Sequence, residues 1–211
     1  MASSYPGALE SFTNPASTDN LNTPGVLHDV QHSAANDAIE AIEATLGVNP
    51  QGAFATVAAA ITTLGALLNP SKVKATCTTV QTIANATNPA VAFTSEDFDT
   101  DGWHDNTTNN SRITCPAGKG GTYMVFGSLD FTANATGQRA ITLRRNGAGS
   151  LTNIVVTAVG GFGNTAMQAV ATIALVPGDY VELLCFQSSG GALDIAVSNF
   201  PPSLSAVYLG P

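Results

Sequence analysis

Residues 175–183 read LVPGDYVEL, and this stretch decides the fold. Pro177-Gly178 is a turn signal, because proline presets φ and glycine admits the positive values a tight turn needs. The residues after it, through Val181 and Leu183, alternate apolar and polar as a half-buried strand does. Upstream, Leu143-Arg144-Arg145-Asn146-Gly147 ends a second alternating run on an Asn-Gly pair, which supplies the positive φ angles of a tight hairpin. Outward from these two motifs the same texture continues through KVKATCTTVQTI (72–83), AVAFTS (90–95), SRITCP (111–116), GTYMVFGSLDF (121–131), TNIVVTAV (152–159), MQAVATIALV (167–176) and LDIAVSN (193–199). Many short strands divided by Gly, Asn, Asp and Pro predict a mainly β chain built as a sandwich or barrel. Residues 71–89 read as a linker or an extra strand, and 90–211 as the head.

The 211 residues suffice for one such domain and a smaller appendage. Apolar residues make up 44% of the chain and charged ones only 10%, against about 25% in ordinary soluble domains. The surface is therefore covered mostly by Ser, Thr, Asn, Gln and Gly, which suits an extracellular or assembled particle. A net charge of −8 with only Arg144–Arg145 as adjacent cations leaves no basic stripe to neutralise phosphates, which argues against nucleic acid and anionic membranes as partners. The sequence MASSYPGALESF has neither the basic start nor the apolar run of a signal peptide, and synthesis in a cytoplasm is expected. Three scattered cysteines, Cys77, Cys115 and Cys185, form no CxxC pair and are expected to act as small core hydrophobes.

Before the β region the pattern differs. Residues 1–32 hold Pro6, Pro15 and Pro24 among polar residues, which prevents a long helix and predicts an extended anchoring arm. From Ser33, SAANDAIEAIEATLG places Ile39, Ile42 and Leu46 at helical spacing and meets a terminating Gly47. After the turn VNPQG, a second helix is predicted over 51–68, with Phe54, Val57, Ile61, Leu64 and Leu68 at intervals of 3, 4, 3 and 4. That is a coiled-coil seam, only about two heptads long and without charges to form flanking ion pairs. Residues 33–70 are thus expected to be a docking or stalk segment that bundles with copies of itself or packs on a larger assembly.

Two family resemblances cover most of the chain. Ile113-Thr114-Cys115-Pro116 with Gly121-Thr122-Tyr123-Met124-Val125, then ITLRRNG (141–147), LVPGDYVEL (175–183) and LSAVYL (204–209) resemble, in order, the complement-type globular heads and tumour-necrosis-factor-like ligands. The resemblance implies a jelly-roll sandwich with its last strand in the middle of the inner sheet, and a compact homotrimer. His28, His32 and ANDAIEAIE (35–43) followed by LGVNP (46–50) resemble the N-terminal parts of structural proteins of tailed bacteriophages. That implies a non-enzymatic surface appendage of a virion, made in a bacterial cytoplasm. It would be a head fibre or decoration, or a tail fibre or tip, contacting other virion proteins through its N-terminal part. The alternative is an adsorption module whose head binds a host receptor or glycan.

Three stretches invite chemistry. Asp97, Asp99 and Asp101 precede Gly102 as D-x-D-x-D-G, with Asp105 at the ninth place, a partial match to a calcium loop, whose hard oxygen ligands alternate before a sharp turn. Thr108 stands where the bidentate Glu would be, so an EF-hand is excluded; no cofactor is required, and the alternatives are a solvated acidic loop or a site for Ca²⁺ or another cation. His28-Asp29-Val30-Gln31-His32 differs from the zinc-protease pattern H-E-x-x-H by an Asp for its Glu and stands outside the predicted helix. AGKGG (117–121) lacks the first Gly and the Ser or Thr of a phosphate loop. The aromatic residues Tyr123, Phe126, Phe131, Phe162, Tyr180, Phe186 and Tyr208 are expected in the core, while Trp103, inside the acidic loop, is open to a sugar-platform role.

Overall fold

The computed structural model describes residues 18, 20, 21, 28–47, 49–158, 163–198 and 200–211. Most of the arm expected over 1–32 lies outside these. The chain divides into two compact units, Met1–Leu67 and Leu68–Pro211.

The first unit holds α1 (His28–Leu46), and α2 (Val57–Leu68) runs to the start of the second. Helix α1 begins five residues before the predicted Ser33, so the HDVQH segment is helical after all. Pro24 is the last proline before it, and neither proline nor glycine falls between His28 and Ser33. The helix ends as expected: Gly47 adopts φ 73° and donates its N–H to the Glu43 carbonyl at 2.8 Å, a glycine cap in the left-handed region. The second helix starts at Val57, six residues later than predicted. The polar turn consumes the difference, with Asn49 Nδ2 bonded to the Gly52 carbonyl at 3.0 Å and the Phe54 N–H to that of Gln51 at 3.1 Å. Thr56 then caps the helix, its Oγ1 accepting the Ala59 N–H at 3.1 Å. Phe54 therefore stands outside α2 rather than on its seam.

The second unit is a sandwich of two antiparallel sheets. One carries β1 (Lys72–Thr76), β2 (Gln81–Ile83), β3 (Ser95–Asp99), β5 (Gly121–Phe131), β8 (Thr165–Leu175), β10 (Leu193–Ile195) and β11 (Ser203–Gly210), and the other β4 (Arg112–Thr114), β6 (Gln138–Arg145), β7 (Gly149–Thr157) and β9 (Tyr180–Gln187). Strand β11 lies between β5 and β1, pairing Val207 with Lys72 on one side and with Met124 on the other. The C-terminal strand is thus central, as the jelly-roll resemblance implies. Residues 72–83 are part of this sheet, so the compact head begins at Leu68, not at 90. Lys72–Thr76 is no linker because Val73 and Ala75, on its inner side, are fully buried.

Alternate residues from both sheets meet between them: Tyr123, Val125, Leu129 and Phe131 from β5, Leu204 and Ala206 from β11, Ile141 and Leu143 from β6, and Val181, Leu183 and Cys185 from β9. Each large side chain buried here contributes roughly 1.5–3 kcal/mol. All three cysteines are free and buried, and burial pushes the Cys185 thiol up to about 12. The two motifs that decided the fold are joined. Asn146 and Gly147 adopt φ 50° and 72° in the three-residue connection from β6 to β7, and Asn146 Oδ1 accepts the Tyr180 N–H at 2.8 Å.

Candidate functional site

The acidic run begins in β3, which holds Glu96, Asp97 and Asp99, and continues into the loop after it. Its carboxylates diverge, each satisfied by a different partner. Asp97 pairs with Lys74 on β1 at 2.6 Å. Asp99 accepts the His104 N–H at 2.9 Å and the Asp101 N–H at 3.3 Å. Asp101 accepts the Thr100 hydroxyl at 3.0 Å and stands 3.7 Å from the Lys119 ammonium. Asp105 Oδ1 takes the Thr107 and Thr108 N–H groups and the Thr107 hydroxyl at 2.8–2.9 Å, bonds that favour the ionised form and lower its pKa to about 2. Glu96 reaches back to His104 Nδ1 at 2.8 Å, while His104 Nε2 meets the Asn110 carbonyl at 3.1 Å. Among the described residues no three or more His, Cys, Asp or Glu are grouped to hold a metal ion. Asp97, Asp99, Asp101 and Asp105, read as a calcium loop, are thus engaged separately in this structure. Gly102 makes the expected sharp turn at φ 69°, but the turn serves hydrogen bonds within the loop. A run of carboxylates identifies alternate positions, not convergence, and two of the partners that separate them, Lys74 and Lys119, come from elsewhere in the chain.

Trp103 is buried, 3% exposed, with its ring edge-on to Tyr123 at a centroid distance of 5.2 Å. Neither indole face is offered for stacking, which corrects the sugar-platform reading.

On the helices, Ile39, Ile42, Leu46, Phe54, Ile61, Leu64 and Leu68 are exposed, and no residue of α2 is buried, Val57 included. The structure brings none of this seam into a core. Helix α2 carries no charge over VAAAITTLGALL.

The solvent side of the seven-stranded sheet carries the apolar residues that sequence reasoning missed. Phe126 on β5 stands opposite Val170 on β8 and Ser205 on β11, and Ser205 stands opposite Lys74 on β1, next to Phe98 on β3. Phe126 and Phe98 are each 41% exposed and Val170 55%, with Met124 and Val207 half-buried beside them. Phe126 was expected in the core. It points outward because β5 is buried at its odd positions, Tyr123, Val125, Leu129 and Phe131. The signal was present: GTYMVFGSLDF is apolar at both parities, which marks a strand covered on both faces. Phe126, Gly127, Ser128, Gln168, Ala169 and Val170 line a groove of about 450 Å³ on this side. The Ser128 and Ser203 hydroxyls, on the same side of the sheet, are joined at 2.8 Å.

The two sheets, their strand order and the central last strand define a jelly roll of the tumour-necrosis-factor-like type. Among solved structures, murine APRIL in its pH 5.0 crystals aligns with 67% of this chain and all of its own at 12% identity, TM-score 0.52. Its pH 8.0 crystals give 66% and 98% at 13% identity, TM-score 0.51. The globular domain of zebrafish complement 1qA protein aligns over 66% of this chain and 98% of its own at 13% identity, with a TM-score of 0.48, too slight a likeness to argue from. No protein-family model matches the sequence, and no curated protein is significantly similar to it.

Proposed function

We propose that the chain is a non-enzymatic, homotrimeric appendage on the surface of a bacteriophage particle, attached through its N-terminal part and projecting the jelly roll outward. The observation that carries self-association is the exposed pair Val170 and Phe126, with Met124 and Val207 half-buried beside it, on the solvent side of the seven-stranded sheet. Contiguous apolar surface of this kind marks an interaction site, and a threefold assembly in which these sheets meet covers it without asking for a second protein. Helix α2 supports the reading from the other end. Having no charges, it associates with copies of itself without repulsion, and helices of twelve residues are marginal alone.

The particle itself is inferred from the resemblance of residues 28–50 to structural proteins of tailed bacteriophages. In that role the helices dock on the shell or tail and the head, with its neutral polar surface, faces the medium. The test is localisation: antibodies to residues 90–211 are imaged on purified particles by electron microscopy, and the particles' proteins are identified by peptide mass spectrometry. Regular labelling at the shell or the tail supports the proposal. Absence of the chain from purified particles overturns it.

A further inference from the structure

The charge of the chain is divided unevenly along its length. Residues 1–71 hold six acidic residues, Glu10, Asp19, Asp29, Asp37, Glu40 and Glu43, and no Lys or Arg; every Lys and Arg lies from Lys72 onward. The unit that carries α1 therefore has neither to set against its carboxylates.

On α1 these acids take a definite place. Asp37, Glu40 and Glu43 recur every three residues, so each has a like charge as its neighbour on the helix surface, which destabilises an isolated helix. Glu43 also stands in the last turn, which holds no basic residue, although the helix dipole favours a cation there. Beside this ridge Ile39, Ile42 and Leu46 form an apolar stripe, 54%, 41% and 49% exposed. At 3.6 residues per turn, the exposed Glu40 and Glu43 run along one edge of the stripe and the buried Ala38 along the other. Local stability accounts for neither the ridge nor the open stripe. A surface that is apolar at its centre and basic at its rim satisfies both.

A second copy does not offer that surface. Lys74, Lys119, Arg144 and Arg145 are already paired with the head's own carboxylates, and Arg139 is fully buried. Nor do copies of α1 suit one another, since a bundle in register would bring their acidic ridges together. An anionic membrane would repel them likewise. Helix α2, with no charge, is free of that conflict.

We propose that α1 is the part that attaches the chain: its Ile39, Ile42 and Leu46 seat in an apolar groove of a different protein, and Lys or Arg residues on the groove's rim pair with Glu40 and Glu43. On the reading of the chain as an attached appendage, on which this assignment rests, α1 joins the partner and α2 the sister copies.

For the test, particles are produced from a genome deleted for this chain, with full-length wild type or Glu40→Lys/Glu43→Lys supplied from a plasmid. Copies per particle are counted by quantitative mass spectrometry. The double reversal should lower occupancy about tenfold or more relative to wild type, and Ile42→Ser should lower it as well. Because the reversal relieves the ridge and suits the dipole, the purified variant should be at least as helical by circular dichroism and keep the mass of wild type in sedimentation. A folding defect would do the opposite. Bound wild type should leave the particle at least about tenfold faster in about 1 M than in about 0.1 M NaCl. Occupancy that survives the reversal or Ile42→Ser overturns the basic-rimmed groove while attachment stands; wild type missing from the particles overturns attachment itself, and the groove with it. Release by EDTA and not by salt would put a divalent-cation bridge in place of the basic rim. A reversal that changes the mass in sedimentation would make α1 a contact between copies; either result overturns the proposal.

Discussion

Asn146, in the turn from β6 to β7, and Asp179, in the turn from β8 to β9 that joins the two sheets, are linked by a 2.6 Å bond from Asn146 Nδ2 to Asp179 Oδ1. The other carboxylate oxygen accepts the Val176 N–H at 2.9 Å and the Arg145 guanidinium at 2.7 Å. The Asn-Gly turn and the Pro-Gly-Asp turn are therefore one structural unit, locked at one end of the sandwich.

The first prediction concerns acid. The Asn146 amide, then the Val176 N–H and Arg145, hold the Asp179 carboxyl below its ordinary value. A carboxyl depressed in the folded state stabilises it fully above the unfolded value, near 3.9, and this contribution is lost as pH falls through the folded value. Asp105 acts in the same window, down to about 2. The melting temperature should hold from neutrality to about pH 5 and fall below about pH 4. Asp179→Asn should lose about 1–2 kcal/mol at pH 7 and show a shallower acid limb, measured by calorimetry across pH 2–7.

A second prediction follows from the apolar row on the seven-stranded sheet. Sedimentation of the full chain should give a threefold mass. Phe126→Glu or Val170→Glu places a charge in the middle of the row and should yield a folded monomer. A wild-type monomer at micromolar concentration, or variants that keep the threefold mass, contradicts the proposed interface.

Chelation should be without effect. The carboxylates of residues 97–105 are engaged by Lys74, Lys119 and local N–H groups, so EDTA is expected to leave the melting temperature within error of that in added calcium. A fall of several degrees on chelation would restore the calcium loop.

The connection between β5 and β6 is the most intolerant backbone position. Gly137 adopts φ 76°, and a Cβ added there would lie 1.9 Å from the Ser188 carbonyl oxygen. Next to it, the fully buried Arg139 donates to the carbonyls of Asn134, Thr136 and Gln138. Gly137→Ala should cost upward of about 2 kcal/mol in chemical denaturation, while Gly149→Ala, with open space around its Cβ, should be nearly neutral.

The sandwich was legible because its signals are local: alternation in residues 121–131 and 180–187, and glycine or asparagine where φ is positive. The central place of residues 203–210 was not local; it came from resemblance. Residues 71–89 were left open as a linker or an extra strand, because KVKAT looks the same in both until Val73 and Ala75 meet an opposite sheet. The helix boundaries moved for a similar reason, Thr56 being a cap only once Gln51–Phe54 has closed a turn. At the site, the acidic residues were found and their chemistry was not. Which way a carboxylate turns depends on Lys74 and Lys119, far away in sequence.

The place of β11 between β5 and β1 also sets an order of events. Strand β1 leaves the ribosome well before β11, the strand that pairs Lys72 with Val207. Until then β1 and β5 have open edges facing each other across a gap, and the sandwich cannot close. The head folds only after synthesis has passed residue 210, and a nascent chain on a crowded message exposes those edges to its neighbours. Copies made side by side on one message are then the first partners each finished head meets.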